Sequence, residues 1–142
     1  MKLSRSALLP YTAAQMYQIV ADLDAYPAFL PGCDSVDVLE RNGDQVVAKL
    51  MSNFSKLEID FTTRNMNCKN ESIEMSLEQG PFQSLQGLWT FKALSESACR
   101  IDFEIDFEMK GGLMKKLLNP MFEKLMNMQF DAFQQRAKQL YS

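Results

Sequence analysis

In the run Ile101-Asp102-Phe103-Glu104-Ile105-Asp106-Phe107-Glu108-Met109, apolar and acidic side chains alternate at every step, and the residues that follow abandon this period for another. A period of two puts every apolar member on one face of a strand. From Gly111 to Tyr141 the spacing is helical: Met114, Leu117, Leu118, Met121, Phe122, Leu125, Met128, Ala132 and Phe133 fall within one broad stripe, opposite Lys116, Glu123, Asn127, Asp131, Gln134 and Lys138. At roughly 1.5 Å per residue this helix is as long as a small domain is wide, so it must lie across a sheet. Pro120 either kinks it or restarts it, having no N–H to give.

The rest of the chain supplies that sheet. Leu3, Ala7 and Leu9 share one side of a first strand that breaks at Pro10, and Thr12-Ala13-Ala14-Gln15 is a capping box opening a helix from about Ala13 to Ala21. Asp22 or Asp24 can cap a second, shorter turn through Tyr26-Pro27-Ala28-Phe29-Leu30, ended by Pro31-Gly32. Strand periodicity begins at Val36 and Val38 and turns at Asn42-Gly43-Asp44, a strong hairpin cue, with Val46 to Met51 as the return strand. Leu57, Ile59 and Phe61, then Ile73, Met75 and Leu77, alternate with polar residues. Gly80-Pro81 turns the chain, and Gly87, Trp89, Phe91 and Ala93 share a face of the next strand. The expected fold is α+β, a helix-grip arrangement: one domain over residues 1–142, two short helices after the first strand, and a curved antiparallel sheet of about seven strands around the C-terminal helix.

Composition narrows the chemistry. No histidine occurs, which excludes His-based triads and imidazole acid–base catalysis. The net charge of −3 argues against a protein held to nucleic acid, whether DNA or RNA, or to an anionic membrane by overall charge, and no DNA partner is expected. Cys33, Cys68 and Cys99 form no CxxC pair and read as reduced thiols of a cytoplasmic protein. No secretory leader or transmembrane segment is legible, and no metal site, cofactor requirement or catalytic residue is expected. A sheet curled around a helix encloses space, and here the inward residues are apolar, aromatic and rich in methionine, which suits a flexible hydrophobic ligand. The candidate pocket residues are Tyr26, Phe29, Leu30, Phe61, Met75, Phe82, Trp89 and Phe103, with Leu117, Met121, Leu125 and Met128 from the helix. The methionines read first as ordinary core and second as a ligand lining. Tyr26 to Cys33 reads either as a lid over the pocket or as a packed corner. The carboxylates Asp102, Glu104, Asp106 and Glu108 read as a solvated sheet exterior.

The segments Tyr26-Pro27-Ala28-Phe29-Leu30-Pro31-Gly32-Cys33, Gly80-Pro81-Phe82, Leu88-Trp89-Thr90-Phe91, Cys99-Arg100-Ile101, Asp106-Phe107-Glu108 and Arg136-Ala137-Lys138 resemble the polyketide-cyclase and coenzyme Q-binding branch of the START-like superfamily. Ser4-Arg5-Ser6-Ala7-Leu8-Leu9-Pro10-Tyr11 and Phe61-Thr62-Thr63-Arg64-Asn65 are most similar to its bacterial ribosome association toxin subfamily. The resemblance implies one of two roles. The first is a non-enzymatic protein that binds ubiquinone or a similar isoprenoid lipid in support of respiration. The second is a regulator that binds the large ribosomal subunit, blocks subunit association and has an antitoxin partner. After Pro31 the chain carries Gly32, where mitochondrial relatives typically have Trp. Lys115, Lys116, Lys124 and Lys138 make the last helix a basic surface on an acidic body and, with Arg64, are the candidate RNA contacts. The same lysines also serve as an ordinary solvated face.

Overall fold

The computed structural model describes residues 1–54 and 57–141. The chain runs β1 (Lys2–Leu9), α1 (Ala13–Ala21), a 3-10 turn (Leu23–Ala25), α2 (Tyr26–Phe29), β2 (Cys33–Asn42), β3 (Gln45–Phe54), β4 (Leu57–Cys68), β5 (Ser72–Gln79), β6 (Phe82–Ala93), β7 (Cys99–Met109) and α3 (Gly112–Tyr141). The strands form one antiparallel sheet in the order β1-β7-β6-β5-β4-β3-β2, so the first two strands of the chain lie at opposite edges. The path from β1 through α1 and α2 to β2 therefore crosses the whole width of the sheet.

Local chemistry sets these boundaries. The Thr12 hydroxyl accepts from Gln15 N at 3.0 Å, and Gln15 Oε1 accepts from Thr12 N at 2.9 Å, which completes the capping box of α1. Neither Asp22 nor Asp24 caps the next turn with its side chain, contrary to the sequence expectation. The turn closes through backbone, Ala25 N donating to Asp22 O at 3.2 Å, while the Asp24 carboxylate pairs with Arg41 at 3.3 Å. Gly43 takes φ +61 in the β2–β3 hairpin, a conformation favourable to glycine. Register shifts at Cys33/Ser35 and Val38/Glu40 in β2, at Thr62/Thr63 in β4 and at Phe82/Ser84 in β6 bend the sheet. Ala93, at the end of β6, is exposed rather than on the buried face.

Helix α3 runs unbroken through Pro120, which lies on its exposed side, so the carbonyl one turn back stays open to water. Its buried face overlaps the predicted stripe at Leu118, Leu125 and Phe133 and departs from it elsewhere. Leu118, Leu125, Met126, Phe130, Phe133 and Ala137 are buried, whereas Leu117 is 59% and Met128 42% exposed. At about 100° per residue, the buried positions of the second half lie roughly a quarter turn around the helix from Leu118 and Leu125. The sheet twists beneath the helix and its seat follows. Leu117 and Met128 fall on the trailing side of that drift, and the seven-residue methionine series leaves the seat.

Candidate functional site

Between the concave face of the sheet and α3 lies a cavity of about 170 Å³, partly open to solvent. Strands β3 to β7 contribute Leu50, Ser52, Phe61, Thr63, Asn65, Met75, Phe82, Leu85, Trp89, Phe103, Ile105 and Phe107; α3 contributes Phe122, Leu125, Met126, Gln129, Phe130 and Phe133. Leu3, Leu23, Tyr26, Leu30 and Cys33 complete it. The wall is mostly ring. Trp89 stacks on Phe103 with centroids 4.5 Å apart and on Phe130 at 5.9 Å, and Phe133 meets it edge-on at 5.2 Å. Phe82 joins Phe61, Phe107 and Phe122 at 5.8 to 6.2 Å. Such offset and edge contacts add to the burial of each ring and hold the wall in one shape. Gly87 leaves room behind this wall for Met75: a Cβ there would stand 2.5 Å from the Met75 methyl, the movable end of a flexible side chain.

Of the sequence candidates, Tyr26, Leu30, Phe61, Met75, Phe82, Trp89, Phe103 and Leu125 are brought together on this cavity. Phe29 stands behind it, packed on Tyr26 and Phe133 and under the Arg136 guanidinium at 5.1 Å. Met121 lines a second, smaller space of about 20 Å³ with Leu57, Ile59 and Leu118, beneath the first half of α3; it shares Ser52, Phe122 and Leu125 with the main cavity. Leu117 and Met128 point away from both. The sequence reading missed Thr63 and Asn65, although the alternation of Leu57, Ile59 and Phe61, carried two steps further, puts both on the inner face. It stopped at Phe61 because the next residues are polar.

The segment from Tyr26 to Cys33 is fastened as a corner. The Tyr26 hydroxyl donates to Val20 O, Asn53 N donates to Gly32 O at 2.9 Å, and Gln129 Nε2 donates to Pro31 O at 2.9 Å. Burial, then the neighbouring Cys33 and Asp22, push the Tyr26 phenol far above its ordinary value. Burial, then Asp34, raise the Cys33 thiol to about 11. Both are therefore uncharged at neutral pH and bring no charge to the cavity. All three cysteines are free, and no cluster of His, Cys, Asp or Glu that could hold a metal occurs among the described residues. No helix there is long and apolar enough to cross a membrane.

The candidate RNA contacts are scattered. Arg64 Nε donates to Glu78 at 2.6 Å and its guanidinium also reaches Gln45, while Lys115 pairs with Glu108 at 2.6 Å. Lys116, Lys124 and Lys138 are exposed and carry no ion pair among the described residues. Of the β7 carboxylates, Asp102 accepts from Ser6 and Arg100, and Glu108 also takes the Met1 amine at 2.8 Å.

A curved antiparallel sheet closed by a long C-terminal helix over an apolar cavity defines a START-like, helix-grip protein. The chain belongs to the family described as polyketide cyclase/dehydrase and lipid transport, matched over residues 9–134, and within it to the ribosome association toxin branch. It is 47% identical over 139 residues to the ribosome association toxin RatA of Pseudomonas aeruginosa, covering 98% of this chain and 96% of that one. To the mitochondrial coenzyme Q-binding protein COQ10 of Drosophila melanogaster it is 26% identical, over 95% of this chain and 57% of that one. Among solved structures, an 18 kDa protein of Caulobacter crescentus matches at TM-score 0.80 and 32% identity, covering 99% and 98% of the two chains. The Zhui aromatase/cyclase of a Streptomyces species matches at TM-score 0.88 and 16% identity, over 97% and 93%, a likeness of fold.

Proposed function

We propose that this is a non-enzymatic, cytoplasmic binding protein that holds ubiquinone or a similar isoprenoid lipid between sheet and helix, in support of respiration. The observation that carries this reading is the ring-walled cavity of about 170 Å³, lined among the described residues by no Asp, Glu, Lys or Arg. Its size suits one ring: an engineered apolar cavity of about 150 Å³ takes benzene. A quinone head fills that space, and the tail leaves along the smaller space at Leu57, Ile59, Leu118 and Met121. The name of the coenzyme Q-binding relative supports the same ligand class. Long-chain ubiquinone at about a hundred times its Kd is expected to add about 2.7 kcal/mol of stability, read as a raised Tm. An unmoved Tm sinks the reading. Met121→Glu, provided it still melts cooperatively, should weaken long-tailed quinones more than tail-less ones.

A second reading is that the protein binds the large ribosomal subunit and is regulated by an antitoxin partner, the pocket being secondary. The relative at 47% identity bears a ribosome-association name, and Lys116, Lys124 and Lys138 stand exposed and unpaired among the described residues. Phosphate contacts release counter-ions, so co-sedimentation with large subunits should fall steeply with salt. Reversing Lys116 and Lys124 to Glu should reduce it and leave the quinone-induced rise in Tm intact. Unchanged co-sedimentation across a salt series removes the lysines from the contact.

A further inference from the structure

The β4 wall of the cavity carries two polar side chains among the rings. Thr63 is 3% and Asn65 5% exposed, and the Thr63 hydroxyl donates to Asn65 Oδ1 at 3.0 Å. That bond occupies the acceptor end of the amide and fixes its orientation, leaving the two Nδ2 hydrogens to find a partner elsewhere. Among the described residues they have no acceptor. Yet Nδ2 is not sealed in protein: the fully enclosed, unbonded side-chain polar atom among the described residues is Asn67 Oδ1. The Asn65 amide therefore reaches the space it lines. The indole N–H of Trp89, a side chain buried to the same degree, is likewise without an acceptor there. Asn65 thus presents a donor to a largely apolar chamber, where the Ser52 hydroxyl is also without a partner among the described residues.

The chamber offers these donors no charged company. Its titrating side chains are Tyr26, whose hydroxyl is committed to Val20, and Cys33, both neutral. An anionic group would enter without a cation, and a cationic group without a carboxylate, each at a desolvation cost that excludes it. An apolar ligand of the right shape would leave the Asn65 amide unpaired. Resting on the ligand-binding reading above, we propose that the cavity selects an uncharged ring compound bearing a carbonyl or ether oxygen, and that Asn65 Nδ2, oriented by Thr63, donates to that oxygen and sets the specificity.

Three ring-sized probes test this in the full chain by calorimetric titration: acetophenone, its hydrocarbon counterpart isopropylbenzene, and benzoate. Acetophenone should bind about tenfold tighter than isopropylbenzene, and benzoate not measurably. Asn65→Leu should erase the preference by weakening acetophenone alone. Thr63→Val, which frees the amide to turn over, should cut it by about half or more, and carries the test if Asn65→Leu does not melt cooperatively. Equal binding of the two neutral probes to the parent, a preference unchanged in the variants, or benzoate bound as tightly as the ketone overturns the assignment of Asn65 while leaving the cavity a ligand site. If none of the three binds, the ligand-binding reading falls with it.

Discussion

From Leu125 onward α3 buries Leu125, Met126, Phe130, Phe133 and Ala137, whereas the turns before it bury Leu118, half-bury Met121 and Phe122, and turn Leu113 and Leu117 to solvent, Leu113 at 71% exposure. The second half is the fastening: Phe133 alone touches the rings of Tyr26, Phe29 and Trp89. At roughly 1.5–3 kcal/mol for each large apolar side chain buried, the stretch from Leu125 onward supplies most of the hold of helix on sheet, with Leu118 and Phe122, the latter on the rings of Phe82 and Phe107, adding the rest. The first half spans unfilled space and is tied at its start by Lys115 to Glu108. One helix thus serves as anchor at one end and as an adjustable roof at the other, and ligand volume is to be gained beneath the roof.

The largest expected effect tests the anchor. Phe133→Ala should lose about 3–5 kcal/mol in urea unfolding, through lost burial and the hole left among the rings. Leu117→Ala, one residue from the predicted stripe but exposed, should stay within about 0.5 kcal/mol. Equal losses would erase the distinction between the halves.

A middle effect is expected where the halves join. Gly32 sits at φ +76, and a Cβ on it would stand 2.9 Å from Leu125 Cδ1. Gly32→Ala should cost about 1–2 kcal/mol from the left-handed backbone, plus the contact. Made in a Leu125→Ala background it should lose only the contact part, and a double-mutant cycle reads the difference. Full additivity would show that Leu125 does not bear on Gly32.

The smallest effect concerns the tie at the roof. The hydrogen bond from Lys115, then that from the Met1 amine, hold the Glu108 carboxyl down to about 2 from an ordinary 4.5. A pKa depressed by folding gives stability that is present above the unfolded value and lost as pH falls from about 4.5 toward 2. Unfolding measured at pH 6, 4 and 2.5 should show this loss in the parent and a shallower one in Glu108→Gln. Superimposable pH curves would mean that the tie does not hold the first turn of α3.

Element order was readable because local rules state it: strict alternation from Ile101 to Met109, the Thr12 capping box, the glycine turn at Gly43. The faces of α3 were not, because they depend on how far the sheet twists between Leu118 and Phe133, a property of seven strands together and of no window of sequence. For the cavity, the rings were legible as inward positions, while Thr63 and Asn65 were hidden by their polarity. Met126, Phe130 and Gln129 were hidden by the same drift that carried Met128 outward.

The pairing of β1 with β7 constrains how the molecule comes into being. The Met1 amine bonds to the Phe107 carbonyl across 106 residues, so β1 finds its neighbour only after all the intervening strands have been made. At about 5–20 residues per second it waits on the order of ten seconds, during which β2 to β6 can pair in succession as hairpins. Closing so long a loop puts this chain among slow-folding topologies. Leu3 and Leu9 remain uncovered until then, and a chaperone or a neighbouring nascent chain has that interval in which to compete for them.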